Sequence, residues 1–535
     1  MRNLLSNFVL IFVFSLILSN CANRGTPTGG EKDVDPPIII KSIPENYSIN
    51  FDAREIKIYF DEYVKIKDLQ KQLIISPPMD PEPEITPLGT ASKYITIKIH
   101  DTLLDNTTYA FNFGESIVDN NEGNPYPYYR YVFSTGDFID SLNVRGFVTD
   151  ALKHEPEEYV SIMLYDMDST FTDSIIYKQK PKYITNTLDS TSTFTLENLK
   201  AGRYLMVALK DENGNYTFQQ KSDKIGFYNE FITVPTDTTY VISLFKEELD
   251  FKVTRPSLIS GNKIAFGYEG NPDKMSIELL SQVPEDFKST ITKDKEKDSL
   301  NYWFKPNIES DSLLFKVTNV NYVDTLMVKI KDEEKDSLQI KPFKSGTLRV
   351  TEDFELEANI PFSTIDESKI NILDRDSTDI AFTALLDKYN NRYKFSFVKT
   401  EQNSYKIRML PGALTDFFGF ENDTLNYTVK TKSFAEYGNL RLTIKNATYP
   451  IIVQLTNEKG EVNAEKYSTK QEPLDFLHLD SGKFLIRVIF DSNENKKYDS
   501  GNYLFKRQPE RVSYYPEELE PVRAGWDDII EFILK

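Results

Sequence analysis

The chain has 535 residues, with 82 acidic side chains against 63 basic ones, a formal net charge of −19, a single cysteine and three histidines. The acidic balance, without a basic stripe or arginine-rich segment, excludes nucleic acid as a partner, and one cysteine excludes a disulfide framework. With 36 Phe and 31 Tyr beside many Ile, Val and Thr, the composition suits pleated sheets.

Met1, Arg2 and Asn3 form a short basic start, and the apolar run Leu4–Leu18 follows. That run has the length of a signal-peptide core and is shorter than the roughly 20 residues of a membrane span. It ends in Leu18-Ser19-Asn20-Cys21, which resembles a bacterial lipobox, with Asn20 in place of the usual Gly or Ala. The resemblance implies that residues 1–20 are a cleaved lipoprotein signal peptide and that Cys21 carries the lipid. The membrane is then held by acyl chains, because the acidic balance disfavours broad adhesion to anionic lipid. Ala22 rather than Asp after the cysteine implies onward transport to the outer membrane. A buried core segment that happens to end in a cysteine fits neither the position nor the flanks.

Residues 21–37 carry Gly, Pro, Thr and charge without periodicity, which predicts a flexible tether. Glu31, Asp33 and Asp35 resemble, loosely, the acidic tracts that send some Bacteroidota lipoproteins to the cell surface. An ordinary solvated linker explains them as well, so the surface is favoured with the periplasmic face left open.

From Ile38 onward strand follows strand. Glu55–Asp61 and Tyr94–Ile99 alternate, Pro36-Pro37 and Pro77-Pro78 punctuate, and Tyr131-Val132-Phe133-Ser134-Thr135 closes the segment. With the Ile-Ile-Ser-Pro strand end and the Val-Asp-x-x-x-Gly-Asn turn, residues 38–137 resemble a bacterial Ig-like domain. Residues 138–250, with Phe194-Thr195-Leu196 and Leu199-Lys200-Ala201-Gly202-Arg203-Tyr204-Leu205, resemble the prealbumin-like sandwich of carboxypeptidase regulatory domains. Residues 251–342 alternate at Leu313, Phe315, Val317 and at Leu326, Val328, Ile330, which predicts a β-rich spacer. The chain then repeats. Phe354–Ala358 and the turn Thr415-Asp416-Phe417-Phe418-Gly419 mark a second Ig-like domain over 343–434. Leu479-Asp480-Ser481-Gly482-Lys483-Phe484-Leu485 matches the 199–205 segment and marks a second prealbumin-like sandwich over 435–535. The expected fold is all-β: tandem sandwiches arranged as an extended scaffold.

The strongest chemical signal is Asp491-Ser492-Asn493-Glu494-Asn495-Lys496-Lys497-Tyr498-Asp499. Oxygens of Asp491, Asn493 and Asn495, a backbone carbonyl at Lys497 and the Asp499 carboxylate follow the first part of a calcium loop. Lys496 stands where Gly would ease the turn and Asn502 where a Glu would close the loop, so an Asx-rich hairpin turn is the other reading. Asp211-Glu212-Asn213-Gly214-Asn215 is a weaker first copy, lacking the acidic ninth residue at Gln219. His100, His154 and His478 are far apart in sequence, and no nucleophile, zinc or phosphate-loop motif is present. No catalytic residue and no cofactor beyond a structural calcium is expected.

Aromatic clusters complete the candidates. Tyr126, Tyr128 and Tyr129, and separately Tyr514, Tyr515 and Trp526, could stack on a glycan or anchor a protein, although the alternation Tyr129, Tyr131, Phe133 assigns part of the first cluster to a core. The sequence as a whole resembles Ig-like-domain lipoproteins of Bacteroidota. That resemblance, with five sandwiches and no catalytic constellation, implies a non-enzymatic scaffold or adaptor anchored in the outer membrane. Its expected partners are other envelope proteins, as in an outer-membrane assembly or export complex. Surface glycan capture beside a nutrient importer is the alternative.

Overall fold

The computed structural model describes residues 33–534 except 188–191, 309, 332 and 335. Cys21 and the signal segment lie outside the described residues, as does most of the tether. Its last residues do not hang free: Asn124 donates through Nδ2 to the carbonyls of Asp33 and Asp35 at 3.1 and 3.3 Å. Among the described residues, helix is confined to the four-residue turn Leu69–Gln72 and three short 3-10 turns, and the fold is all-β. No helix of the described residues is long and apolar enough to cross a membrane.

The chain divides into two compact units, the first reaching Asn143 and adding Lys182–Leu188 and Leu196–Ala201. Its body is a two-layer sandwich. One sheet runs Ile39–Ile43, Glu55–Ile66, Ser92–Lys98, Glu84–Thr86, and the other Ile74–Ser76, Thr108–Asn112, Arg130–Ser134. The period of two in Glu55–Ile66 sends Ile56, Ile58 and Phe60 inward, to meet Phe111, Tyr131 and Phe133 from the facing sheet. Arg130, at the start of the closing strand, donates to Asn198 Oδ1 at 2.7 Å and pairs with Glu197.

The second unit holds four sandwiches. In the first of them, Ser161–Asp166, Gly202–Lys210 and Lys224–Phe227 form one sheet, while Leu142–Asp150 and Thr239–Leu244 run parallel in the other. Gly146 is required at that parallel pair. A Cβ there would lie 2.2 Å from the Tyr240 carbonyl oxygen and 2.6 Å from the Phe194 ring. The last sandwich is built the same way: Gly438–Lys445 pairs in parallel with Asp527–Ile533, and Ile451–Thr456 lies antiparallel to Leu485–Phe490.

The spacer is also a sandwich, with Lys263–Glu269, Ser299–Lys305 and Lys288–Lys293 facing Ser276–Leu279, Ser312–Asn319 and Tyr322–Lys329. Leu313, Phe315 and Val317 point into its core beside Ile264, Phe266, Leu300, Tyr302 and Phe304. The next sandwich begins three residues before the expected boundary at 343, because Ile340–Pro342 pairs with Phe354–Ala358.

Within this unit the sandwiches do not form the expected open line. The last one folds back onto the first, some 250 residues earlier in the chain, through contacts described below.

Candidate functional site

The residues singled out for chemistry are largely used to shape turns. Asp491 is fully buried, and its two carboxylate oxygens accept the backbone N–H groups of Asn495 at 3.1 Å and Lys496 at 2.8 Å. Asn493 and Asn495 accept the N–H groups of Asn495 and Lys497 and donate their amides to Asp499. Lys497 pairs through its side chain with Asp273 at 3.2 Å. The oxygens that would ligate calcium are thus engaged by amides, and no group of three or more His, Cys, Asp or Glu gathers around a metal position among the described residues.

Asp211 does the same at the first copy, accepting from Asn213, Gly214 and Tyr216. Asp119 accepts from four successive N–H groups, Asn121 to Asn124. Burial raises the pKa of Asp119, but the four amides, Asn124 foremost, outweigh it and hold the carboxyl below its ordinary value. A short acidic side chain at the head of a turn is this protein's repeated solution to satisfying backbone donors.

The three histidines are separated. His100 lies 3.9 Å from Glu84, His154 lies 3.0 Å from Glu155, and His478 stacks on Phe434 with ring centres 4.9 Å apart.

The two aromatic clusters have different fates. Tyr129 is a core residue, Tyr126 packs edge-on against it at 5.8 Å, and only Tyr128 is more than half exposed. No flat platform of three rings results. In the second cluster Tyr515 packs on Phe532 in the core and Trp526 remains exposed under Arg523. Tyr514 has a partner within the chain: its hydroxyl donates to the Leu152 carbonyl of the 144–250 sandwich at 2.6 Å.

That contact belongs to a built joint. Arg487, 4% exposed, donates to the same carbonyl at 3.0 Å and to Gln454 at 2.8 Å. Tyr503 is fully buried, with its ring edge-on to Phe227 at 5.4 Å, and its backbone N–H donates to the buried Glu247 carboxylate at 2.6 Å. Gly501 lies flat on Phe245, where a Cβ would meet the ring at 2.5 Å. Gln508 donates to the Phe227 carbonyl at 2.9 Å, and Lys506 pairs with Asp173 at 2.7 Å. Backbone carbonyls, a buried carboxylate and rings fix this joint together, so the two sandwiches act as one body.

A second joint lies between the spacer and the sandwich after it. Trp303 projects from the spacer's outer sheet face and is 2% exposed. Ile360, Phe417 and Phe418 cover it. Its indole N–H donates to Thr292 at 2.9 Å, and Lys305 donates to the Phe417 carbonyl. Beside Trp303 the two sandwiches form an open cleft of about 430 Å³. Lys263, Lys293, Lys295 and Lys341 line it together with the carboxylates of Asp294, Glu296 and Glu357, beside Asn301 and Trp303. Glu357 is buried, and Lys295 at 3.2 Å, Lys341 at 3.4 Å and Arg392 at 3.7 Å surround it. Burial lowers the pKa of Lys295; Glu357 opposes this, while Lys341 and Arg392 add to it.

Neither joint is among the residues that the sequence marks for function. One signal was available. Tyr302, Trp303 and Phe304 are consecutive in a strand, and three successive rings cannot all face one core.

Residues 33–135 match the family described as bacterial Ig-like domain. No curated protein matches the chain. Among solved structures, domains 1–6 of the surface layer protein SbsC are 12% identical, with 90% of this chain and 67% of that one covered at a TM-score of 0.17. An I-band fragment of titin is 12% identical over 54% of this chain and 98% of its own, at a TM-score of 0.11. The tandem Ig repeats of Dlar are 12% identical over 34% and 98%, at 0.13. The bacterial Ig-like family match covers the first sandwich, residues 33–135.

Proposed function

We propose that this protein is a non-enzymatic scaffold or adaptor lipoprotein, held in the outer membrane by a lipid on Cys21 and binding other envelope proteins as a subunit of an assembly or export complex. The observation that carries this reading is the joint at Tyr503 and Gly501. A chain that folds its last sandwich back onto an earlier one, and fixes it through buried contacts, presents a rigid surface of fixed spacing. Rigid presentation of edges and loops is what a docking platform needs, since a partner then loses less entropy on binding.

The spacer's edge strand Tyr322–Lys329 supports the same reading. It pairs on one side only and turns Val323 and Met327 outward, 64% and 60% exposed. Open edges of this kind take up partner strands.

The test is affinity purification of the full chain from detergent-solubilised membranes. Reproducible co-purification of outer-membrane proteins, lost when Val323 and Met327 are both changed to Lys, is the expected result. Recovery of the protein alone overturns the reading. Metabolic labelling with a radioactive fatty acid tests the anchor: Cys21→Ser should abolish incorporation.

A further inference from the structure

Glu247 is a carboxylate that the docking of the last sandwich helps to bury. Residues 500–503 of that sandwich lie along residues 245–247 of the earlier one. The Ser500 hydroxyl donates to the Lys246 carbonyl, Gly501 rests on Phe245, and the Tyr503 N–H donates to Glu247 Oε1 at 2.6 Å. Gln220 donates to the other oxygen at 3.0 Å, and the residue is 4% exposed. A buried carboxylate usually has a cation beside it. Here the lysines of the surrounding elements are engaged elsewhere: Lys221 pairs with Glu269 and Lys506 with Asp173, both at 2.7 Å, and Lys246 donates to the Lys221 and Asp223 carbonyls. Tyr177, which also faces it, is pushed up to about 12 by burial and stays neutral. Burial is the largest influence on Glu247 and raises its pKa, and Asp250 adds to this. The bonds from Tyr503 and Gln220, with the more distant Arg507, oppose the rise without cancelling it.

We propose that the joint between the 144–250 and 438–535 sandwiches is a proton-sensitive latch: closing it takes up a proton on Glu247, so it holds more tightly in mild acid than at neutral pH. When the last sandwich lifts away, water reaches the carboxyl and its ordinary value of about 4.3 returns. The closed value lies above the open one. The added hold is therefore complete below pH ~4.3 and is lost as pH rises through the closed value. The neutral acid still accepts the Tyr503 N–H through its carbonyl oxygen, so that bond survives protonation. Glu157, held at about 2, stays ionised over this whole range. As a control on the spacing of a docking platform, the latch rests on the scaffold reading.

Hydrogen exchange of the full chain at about pH 5 and about pH 7.5, corrected for intrinsic rates, tests the latch. Opening of the 499–508 loop and of Lys224–Phe227 should be at least about threefold more frequent at the higher pH, since each unit between the closed and open values is a factor of about ten. Lys263–Glu269 in the spacer should show no such difference. Glu247→Gln, a stand-in for the neutral acid, should show at both pH values the protection that the wild type has in acid. His154 lies edge-on to Tyr514 across the same joint at 5.0 Å, beside Glu155, and histidine is the residue type that ionises in this range; His154→Gln should keep the wild-type difference. Opening that does not change with pH, or changes equally in Glu247→Gln, overturns the latch, as does a difference that disappears in His154→Gln. None of these outcomes touches the scaffold reading, which stands or falls on co-purification.

Discussion

The joint between the 438–535 and 144–250 sandwiches is filled, whereas the joint between the spacer and the sandwich after it leaves an open cleft. In the first, Tyr503 sits between rings, Gly501 touches Phe245 and the Leu152 carbonyl receives two donors. In the second, Trp303 and its apolar cover stand beside an open cleft lined by lysines, asparagines and the carboxylates of Asp294, Glu296 and Glu357. A filled joint transmits position, because no side chain in it can move without opening a void. The same chain thus has one interface packed without a hollow and another that leaves a charged cleft.

The largest effect should come from emptying the filled joint. Tyr503→Ala removes a fully buried ring, and aromatic-to-alanine changes in packed interiors cost about 3–5 kcal/mol. Because a chain of several sandwiches need not unfold in one step, hydrogen exchange read per strand is the right measurement. Protection should fall in Leu485–Phe490 and Val512–Tyr514 and stay unchanged in Lys263–Glu269. A loss shared equally by both joints would show that they are one cooperative body and collapse the distinction.

Acid should weaken the filled side next. Burial raises the pKa of Glu157, but hydrogen bonds from Lys153 and Lys224, with their charges, outweigh it and hold the carboxyl down at about 2. Lys224 also bonds Asp150 at 2.6 Å, two residues before Leu152. The folded value lies below the unfolded one of about 4.3. The contribution is therefore complete above pH ~4.3 and lost as pH falls toward 2, on the order of 2–3 kcal/mol. Melting temperature against pH should show that slope in the wild type. Glu157→Gln should flatten the slope and lower stability at neutral pH.

Much of the fold was legible because strand patterning is a local property. Glu55–Asp61 and the Leu313, Phe315, Val317 alternation reach the cores they predict. Apart from the three consecutive rings at Tyr302, Trp303 and Phe304, the joints were not legible, because a residue facing a neighbouring sandwich obeys no period of its own strand. Arg487 sits inside the apolar run Leu485–Phe490, where only three dimensions reveal that both faces are buried. Tyr514 has the composition of a surface anchor and is in fact an internal one. Asp491, Asn493 and Asn495 show a different limit. The residue types that ligate calcium also cap Asx turns, and the sequence alone does not separate the two uses.

A moderate effect should appear at the hollow joint when its turn is loosened. Asp416 is buried and accepts from the N–H groups of Phe418 and Phe420 at 2.8 and 2.9 Å. Asp416→Ala leaves those donors without their acceptor at a cost of about 1–3 kcal/mol. It also frees the phenylalanines that cover Trp303. In a chain carrying Trp526→Phe, Trp303 emission should shift to the red, while exchange protection at Leu485–Phe490 stays as in the wild type.

The smallest effect is the most informative about how the filled joint is made. Tyr514→Phe deletes one donor to the Leu152 carbonyl, but Arg487 still reaches that oxygen at 3.0 Å. No buried group is orphaned, so the loss should be about 0.5–1 kcal/mol. Arg487→Met alone leaves Tyr514 as the remaining donor and removes the bond to Gln454, so it should cost more than the tyrosine change. The double variant leaves the carbonyl with neither donor and should exceed the sum of the singles by ~0.5 kcal/mol or more, the size expected of residues that share a partner. Strict additivity in exchange protection would mean that the two donors act separately, and that Tyr503 and Gly501 alone hold the sandwiches together.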